Sequence, residues 1–211
     1  MAETPRGCFI VLEGIDGSGT TLQTRALADR LRERGRQVLE TREPTGGAIG
    51  ALIRERLSVR AAALDPVALA LLFAADRVDH IAREVAPALA AGTVVISDRY
   101  LLSSLAYQSL DCDPAWIRQI NARAARPDLT LVLEVPVEVA FGRVQRRMAQ
   151  GAAVEERFDA LALQRRIAGH YRQFRGDPDL GEVRVIDGTA APEQVTAALL
   201  AAVTDARVGG L

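Results

Sequence analysis

Apolar runs and polar interruptions alternate along this chain in a rhythm that predicts strands separated by helices. CFIVLE (8–13) is a continuous apolar run, the pattern of a central parallel strand buried on both faces. A glycine-rich turn follows. TLQTRALADRLRERG (21–35) then places Leu22, Leu27 and Leu31 near one face among arginines, predicting a helix stopped by Gly35. QVLETRE (37–43), TVVISD (93–98), LTLVLEV (129–135) and VRVID (183–187) predict four further strands. Helices are predicted over GAIGALIRERL (47–57), from Pro66 to Ala91 with a stop at Gly92, and over 101–110 and 114–125. Two more flank MAQGAAVEER (148–157), and the last covers 191–204. Strands alternating with helices throughout define an α/β fold with a mostly parallel sheet. The polar, glycine-containing segment 148–157 reads either as a plain surface loop or as a mobile lid.

Composition narrows the class. With 211 residues, 49% of them hydrophobic, the chain builds one well-buried core, and a single domain over 1–211 is expected. A net charge of -1 offers no polybasic surface for nucleic acid. All 26 basic residues are arginines, and there is no lysine. Cys8 and Cys112 are too few and too scattered for a disulfide scaffold or a metal cluster, which fits a reducing compartment. MAETPRGCFIVLEG has no signal-peptide pattern, and Asp76, Arg77, Asp79 and His80 interrupt the longest alanine-rich stretch. A cytoplasmic protein without membrane partners is expected.

Chemistry enters at GIDGSGTT (14–21), which fits the phosphate-loop form G-x-x-x-x-G-K-[ST] except that Thr20 stands in the lysine's place. Gly14, Gly17 and Gly19 permit a tight turn, and Ile15, Asp16 and Ser18 complete a backbone whose N–H groups cradle an anion. Thr21 sits where a hydroxyl ligand of Mg²⁺ belongs. The alternative is a glycine-rich turn that binds nothing. Asp98, at the end of VVISDRY, points into the crevice where α/β sheets bind ligands and is a second metal-side candidate, held through water. Arg99 beside it suits a phosphate, or the two form a surface ion pair. TREP (41–44) ends the second strand with Arg42 and Glu43 at the same edge, and Arg54 lies on the following helix. Phe73 and Arg77, four apart on one helix face, can stack on and hydrogen-bond a base; Phe73 also suits an ordinary core. His80 has no companions that suggest a metal site. Arg143, Arg146, Arg147 and Arg157 flank the expected lid, as solvated residues or as charge for a transferring phosphoryl.

EGIDGSG, TREP with the glycines after it, IR, FAADR, ISDRY, SSLAYQ, PDLT and ERF resemble, in order and spacing, the thymidylate kinases over about residues 8–190. That resemblance implies a P-loop kinase fold with a five-stranded sheet and a small lid. It implies transfer of the γ-phosphoryl of ATP to dTMP, giving dTDP, with Mg²⁺, in a homodimer. Asp16 would then lie beside the deoxyribose and phosphates, Phe73 would stack on thymine, and Arg77 would bond the base edge. Arg99 and Arg54 would hold the acceptor phosphate, with Glu43 near the sugar and metal. Ser104, Tyr107 and Gln108 would line the pocket, Tyr107 disfavouring a ribose 2′-hydroxyl. Gly17, where some members carry an arginine, places this chain with those that use lid arginines: Arg147 first, then Arg143 and Arg157. Thr45 and Ala51 depart from the usual glycine and glutamate, and Thr20 from the lysine. The Thr20 departure leaves two other readings: another kinase of the same fold, or a nucleotide binder with little turnover.

Overall fold

The computed structural model describes residues 7–58, 63–150 and 161–206. Strands β1 (Phe9–Glu13), β2 (Val38–Arg42), β3 (Val94–Asp98), β4 (Leu129–Glu134) and β5 (Glu182–Asp187) form one sheet. Their order is β2-β3-β1-β4-β5, and every pairing is parallel. The most continuous apolar run takes the central place, as burial on both faces requires. Alternation along β1 sends Phe9 and Val11 into one core and Cys8, Ile10 and Leu12 into the other.

Helices α1 (Thr20–Glu33) and α9 (Pro192–Asp205) cover the second of these cores through Leu27, Leu31 and Leu199. The first is covered by α3 (Pro66–His80), α4 (Ala86–Ala90), α5 (Leu101–Tyr107), α6 (Pro114–Ile120) and α8 (Leu161–Phe174). α2 (Ala48–Leu57) packs on α3, and α7 (Val137–Ala149) packs on α8.

Three expectations change in detail. The helix expected over 114–125 ends at Ile120, and turns carry the chain on through Ala124. The helix predicted from Pro66 to Ala91 contains a π turn at Ile81–Val85 before it resumes as α4 and stops at Gly92, φ 79°. Pro87 has no N–H to return to Arg83, so the regular ladder cannot run through this stretch unbroken. Leu22 is 56% exposed, while Gln23, Thr24, Leu27, Ala28 and Leu31 are buried. The i, i+4 row through residues 23, 27 and 31 defines the inner face, and Leu22 lies off it.

The chain leaves β1 toward α1 on one face of the sheet and leaves β3 toward α5 on the other. This divergence opens a crevice at the carboxyl ends of the two neighbouring strands, the position where open α/β sheets bind ligands.

Candidate active site

Residues 14–19 turn tightly between β1 and α1. Gly17 and Gly19 hold φ of 83° and 101°, conformations costly for any side chain. A Cβ on Gly17 would lie 2.2 Å from the Ala140 carbonyl oxygen on α7. Gly19 caps α1 without any side-chain hydrogen bond, so the first helical N–H groups stay available to an anion. Thr20 is 6% exposed and brings no charge. Thr21 donates its hydroxyl to Asp98 Oδ2 at 2.5 Å, while Asp98 Oδ1 is buried without a partner.

A cavity of about 880 Å³ opens over this loop and runs under α3 and α5. It gathers Asp16, Gly17, Gly19, Thr20 and Thr21 with Asp98, Arg99, Arg143 and Arg147 on one side. Glu43, Arg54, Phe73, Arg77, Ser104, Tyr107 and Gln108 line the other. Gly14, Ile15 and Ser18 are buried and do not line it. Arg157 and residues 151–157 of the expected lid lie outside the described residues; Met148 and Ala149 belong to α7.

Arg99 occupies the junction. Its φ is 72°, a conformation that non-glycine residues adopt at a cost of roughly 1–3 kcal/mol. Its guanidinium pairs with Asp16 and donates to the Gly14 carbonyl at 3.1 Å and to Ser103 Oγ at 3.2 Å. It also lies over the Tyr107 ring, 5.3 Å from the centroid. Burial disfavours its charge, but Tyr107, Asp16, Tyr171 and Asp98 hold its pKa well above the ordinary value. Tyr107 donates to Asp16 at 2.9 Å, so loop and pocket share one network.

Behind Arg99 lies Glu13, fully buried at the end of β1. It accepts from Tyr100 N at 2.8 Å, Ser103 N at 3.1 Å, Ser103 Oγ at 2.6 Å and Tyr171 Oη at 3.1 Å. Burial raises its pKa, against these hydrogen bonds and the Arg99 charge. Gln164 of α8 also reaches Asp16, at 3.3 Å. The sequence pattern assigns no role to Glu13, Ser103, Gln164 or Tyr171. Glu13 carried the signal that exposed Asp98, an acid ending an apolar strand, but its neighbours in space come from distant segments.

Across the cavity, Arg77 is 1% exposed and bonded to Glu43 Oε2 at 2.6 Å, to the Tyr100 carbonyl and Ser104 Oγ at 3.0 Å each, and to Asn121. Its Nε is buried without a protein partner. Arg54 donates to the carbonyls of Pro44 and Thr45, which holds the TREP turn against α2. Thr45 earns its place: its N and Oγ1 both donate to buried Asp76, at 2.8 and 2.6 Å, a bond that glycine cannot make through a side chain. Arg42, the arginine of TREP, lines the same wall.

Arg143 crosses above the loop, donating to the Gly17 and Ser18 carbonyls at 3.4 Å each and to the Gly188 carbonyl at 3.2 Å. Arg147, one turn on, is exposed at the rim.

An anion cradle, a hydroxyl–carboxylate pair and several guanidiniums around one cavity define a nucleotide kinase of the P-loop type. The family model for thymidylate kinase matches residues 12–198. A probable thymidylate kinase of Pyrococcus horikoshii is 40% identical, with 97% of this chain and 99% of the relative covered. Thymidylate kinases of Thermomicrobium roseum and Cereibacter sphaeroides are 42% and 44% identical, each match covering 93% of this chain and 94% of the relative. The chain belongs to the thymidylate kinase family, ATP-dependent kinases of nucleoside monophosphates.

Proposed function

We propose that this chain transfers the γ-phosphoryl of ATP to dTMP, with the glycine loop as donor site and the Phe73–Arg77 side of the cavity as acceptor site. The observation that carries this reading is the continuity of the cavity: Asp98 and Arg99 stand between cradle and base pocket. The acceptor oxygen is already an ionised phosphate oxygen, so no side chain needs to act as a strong base. Positioning and charge neutralisation do the work.

Arg99 and Arg54 hold the acceptor phosphate, and Asp16 fixes Arg99 between the two nucleotides. Phe73 stacks on the base. Arg77 presents donors only, and its unpartnered Nε suits a base edge that offers an acceptor, as thymine does with its 4-oxo group. Tyr107, tied to Asp16, closes the pocket beside the sugar; Ser104, Gln108 and Glu43 complete the wall. Arg143 braces the loop, and Arg147 reaches for the transferred phosphoryl.

Thr21 and Asp98 would hold Mg²⁺, and the residues present fit it. One carboxylate oxygen is orphaned beside a hydroxyl, both hard oxygen donors. An ion held by these two side chains would keep waters and nucleotide phosphates as its other ligands. Bound there, the ion would neutralise charge on the phosphates.

We read residues 1–211 as one cytoplasmic kinase domain that works as a homodimer. Val67, Leu71 and Val78 form an apolar stripe along α3, each 46–48% exposed. No helix among the described residues is long and apolar enough to cross a membrane. ADP release with dTMP, dUMP, dCMP, dAMP and AMP as acceptors tests the assignment. Turnover led by dTMP is expected; preference for another acceptor would overturn it.

A further inference from the structure

A line of polar side chains runs from the acceptor pocket to the far surface of α3. Glu43 lines the cavity and is 3% exposed in its side chain. Its Oε2 accepts from Arg77 at 2.6 Å, and its Oε1 lies 3.0 Å from His80 Nδ1. A carboxylate oxygen here accepts, so Nδ1 carries the proton. The His80 side chain is 0% exposed and does not line the cavity. Its Nε2 lies 2.7 Å from Thr41 Oγ1, whose one proton can go to Nε2 or to the half-exposed Glu84, 3.0 Å away.

We infer that His80 is a positioning residue for base recognition: it holds Glu43, and Glu43 helps set the plane of Arg77. Each oxygen of this buried carboxylate has one nitrogen donor beside it, Arg77 or His80. Removing the imidazole leaves Oε1 without its nitrogen donor on a side chain only 3% exposed, and a buried carboxylate so stripped turns toward another donor. That turn weakens the Glu43 bond, the one charged contact among the four that fix the Arg77 guanidinium; Asn121, Ser104 and the Tyr100 carbonyl keep it in place. Arg77 then keeps its charge but loses part of its aim, and aim is what separates a base with an acceptor at its 4-position from one with an amino group there. The anchoring of Nε2 by Thr41 and the fixed spacing of residues 77 and 80 on α3 give the imidazole a single pose.

This inference rests on the dTMP reading of the cavity, so the test separates the two. Calorimetric titration with dTMP and with dCMP, without ATP, is run on the wild type, His80→Leu, His80→Phe and His80→Asn; KM for ATP and kcat follow by ADP release. His80→Leu and His80→Phe are expected to weaken dTMP binding about tenfold and to erode the dTMP-over-dCMP preference severalfold, with KM for ATP within about twofold. His80→Asn, whose amide nitrogen stands where Nδ1 does and can donate to Glu43, is expected within about threefold of the wild type. Unchanged dTMP binding in the Leu and Phe variants, or equal losses for both nucleotides and for ATP, would overturn the role of His80. Failure of the wild type to bind dTMP would instead overturn the reading of the cavity.

Discussion

At the scale of single residues, the site is organised around one arginine and one missing lysine. Arg99 is held in a disfavoured backbone conformation, and its guanidinium is clasped by Asp16, Ser103 and Tyr107. Arg99→Ala should lower kcat/KM by about 100-fold, roughly 3 kcal/mol for a desolvated charge-assisted contact. A loss under threefold in steady-state kinetics would count against its role. Thr20 poses the opposite case. The loop keeps its positive-φ glycines, its uncapped helix start and the Thr21–Asp98 pair, and Arg143 lies across its carbonyls. With these in place, Thr20→Lys should change kcat by less than about threefold. A tenfold gain would show instead that the natural loop is impaired. Most residues of the site were legible because loop chemistry and strand-end acids leave local marks. His80 was set aside for want of companions at metal-ligating spacing; its actual partner, Glu43, lies 37 residues away and is visible only once the chain is folded.

Among the elements, β1 and the β3–α5 corner depend on each other through Glu13. Two backbone N–H groups of that corner, at Tyr100 and Ser103, end on its Oε1. α8 joins them through Tyr171. Because burial raises the Glu13 pKa, ionisation costs more in the folded chain than in the unfolded one. Its contribution to stability is therefore greatest below the ordinary carboxylate range and is lost as pH rises through the raised value. Relative to Glu13→Gln, which can still offer an oxygen to both backbone N–H groups, the wild type should lose stability on going from about pH 4.5 to about pH 8. Urea unfolding at the two values checks this; a wild-type advantage that grows with pH would refute it. The strand boundaries and most helix boundaries were readable from periodicity, but the helix expected over 114–125 stops at Ile120. The π turn in the α3–α4 stretch was not, since alanine-rich sequence shows no break and only Pro87 hints at one. Leu22 was misassigned to the inner face because three leucines were fitted to one row when only two belong to it.

For the whole molecule, two claims remain to be joined: how copies assemble and what the assembly does. Leu71→Asp, in the middle of the apolar α3 stripe, should convert a dimer to monomers in light scattering while leaving far-UV circular dichroism intact. A wild type that is already monomeric would remove the dimer from the account. The sheet order needed the structure, because five predicted parallel strands fit several orders; the resemblance named the fold, and the observed order β2-β3-β1-β4-β5 places the loop after β1 beside Asp98. The central claim is that a cavity with a lysine-free loop still moves a phosphoryl group onto thymidylate. Chromatographic quantification of dTDP and ADP from dTMP, ATP and Mg²⁺, with purified wild-type protein far below substrate concentration, tests it most directly. The account predicts many turnovers, with dTDP and ADP formed in equal amounts. ADP without dTDP, or neither product above background, would contradict it.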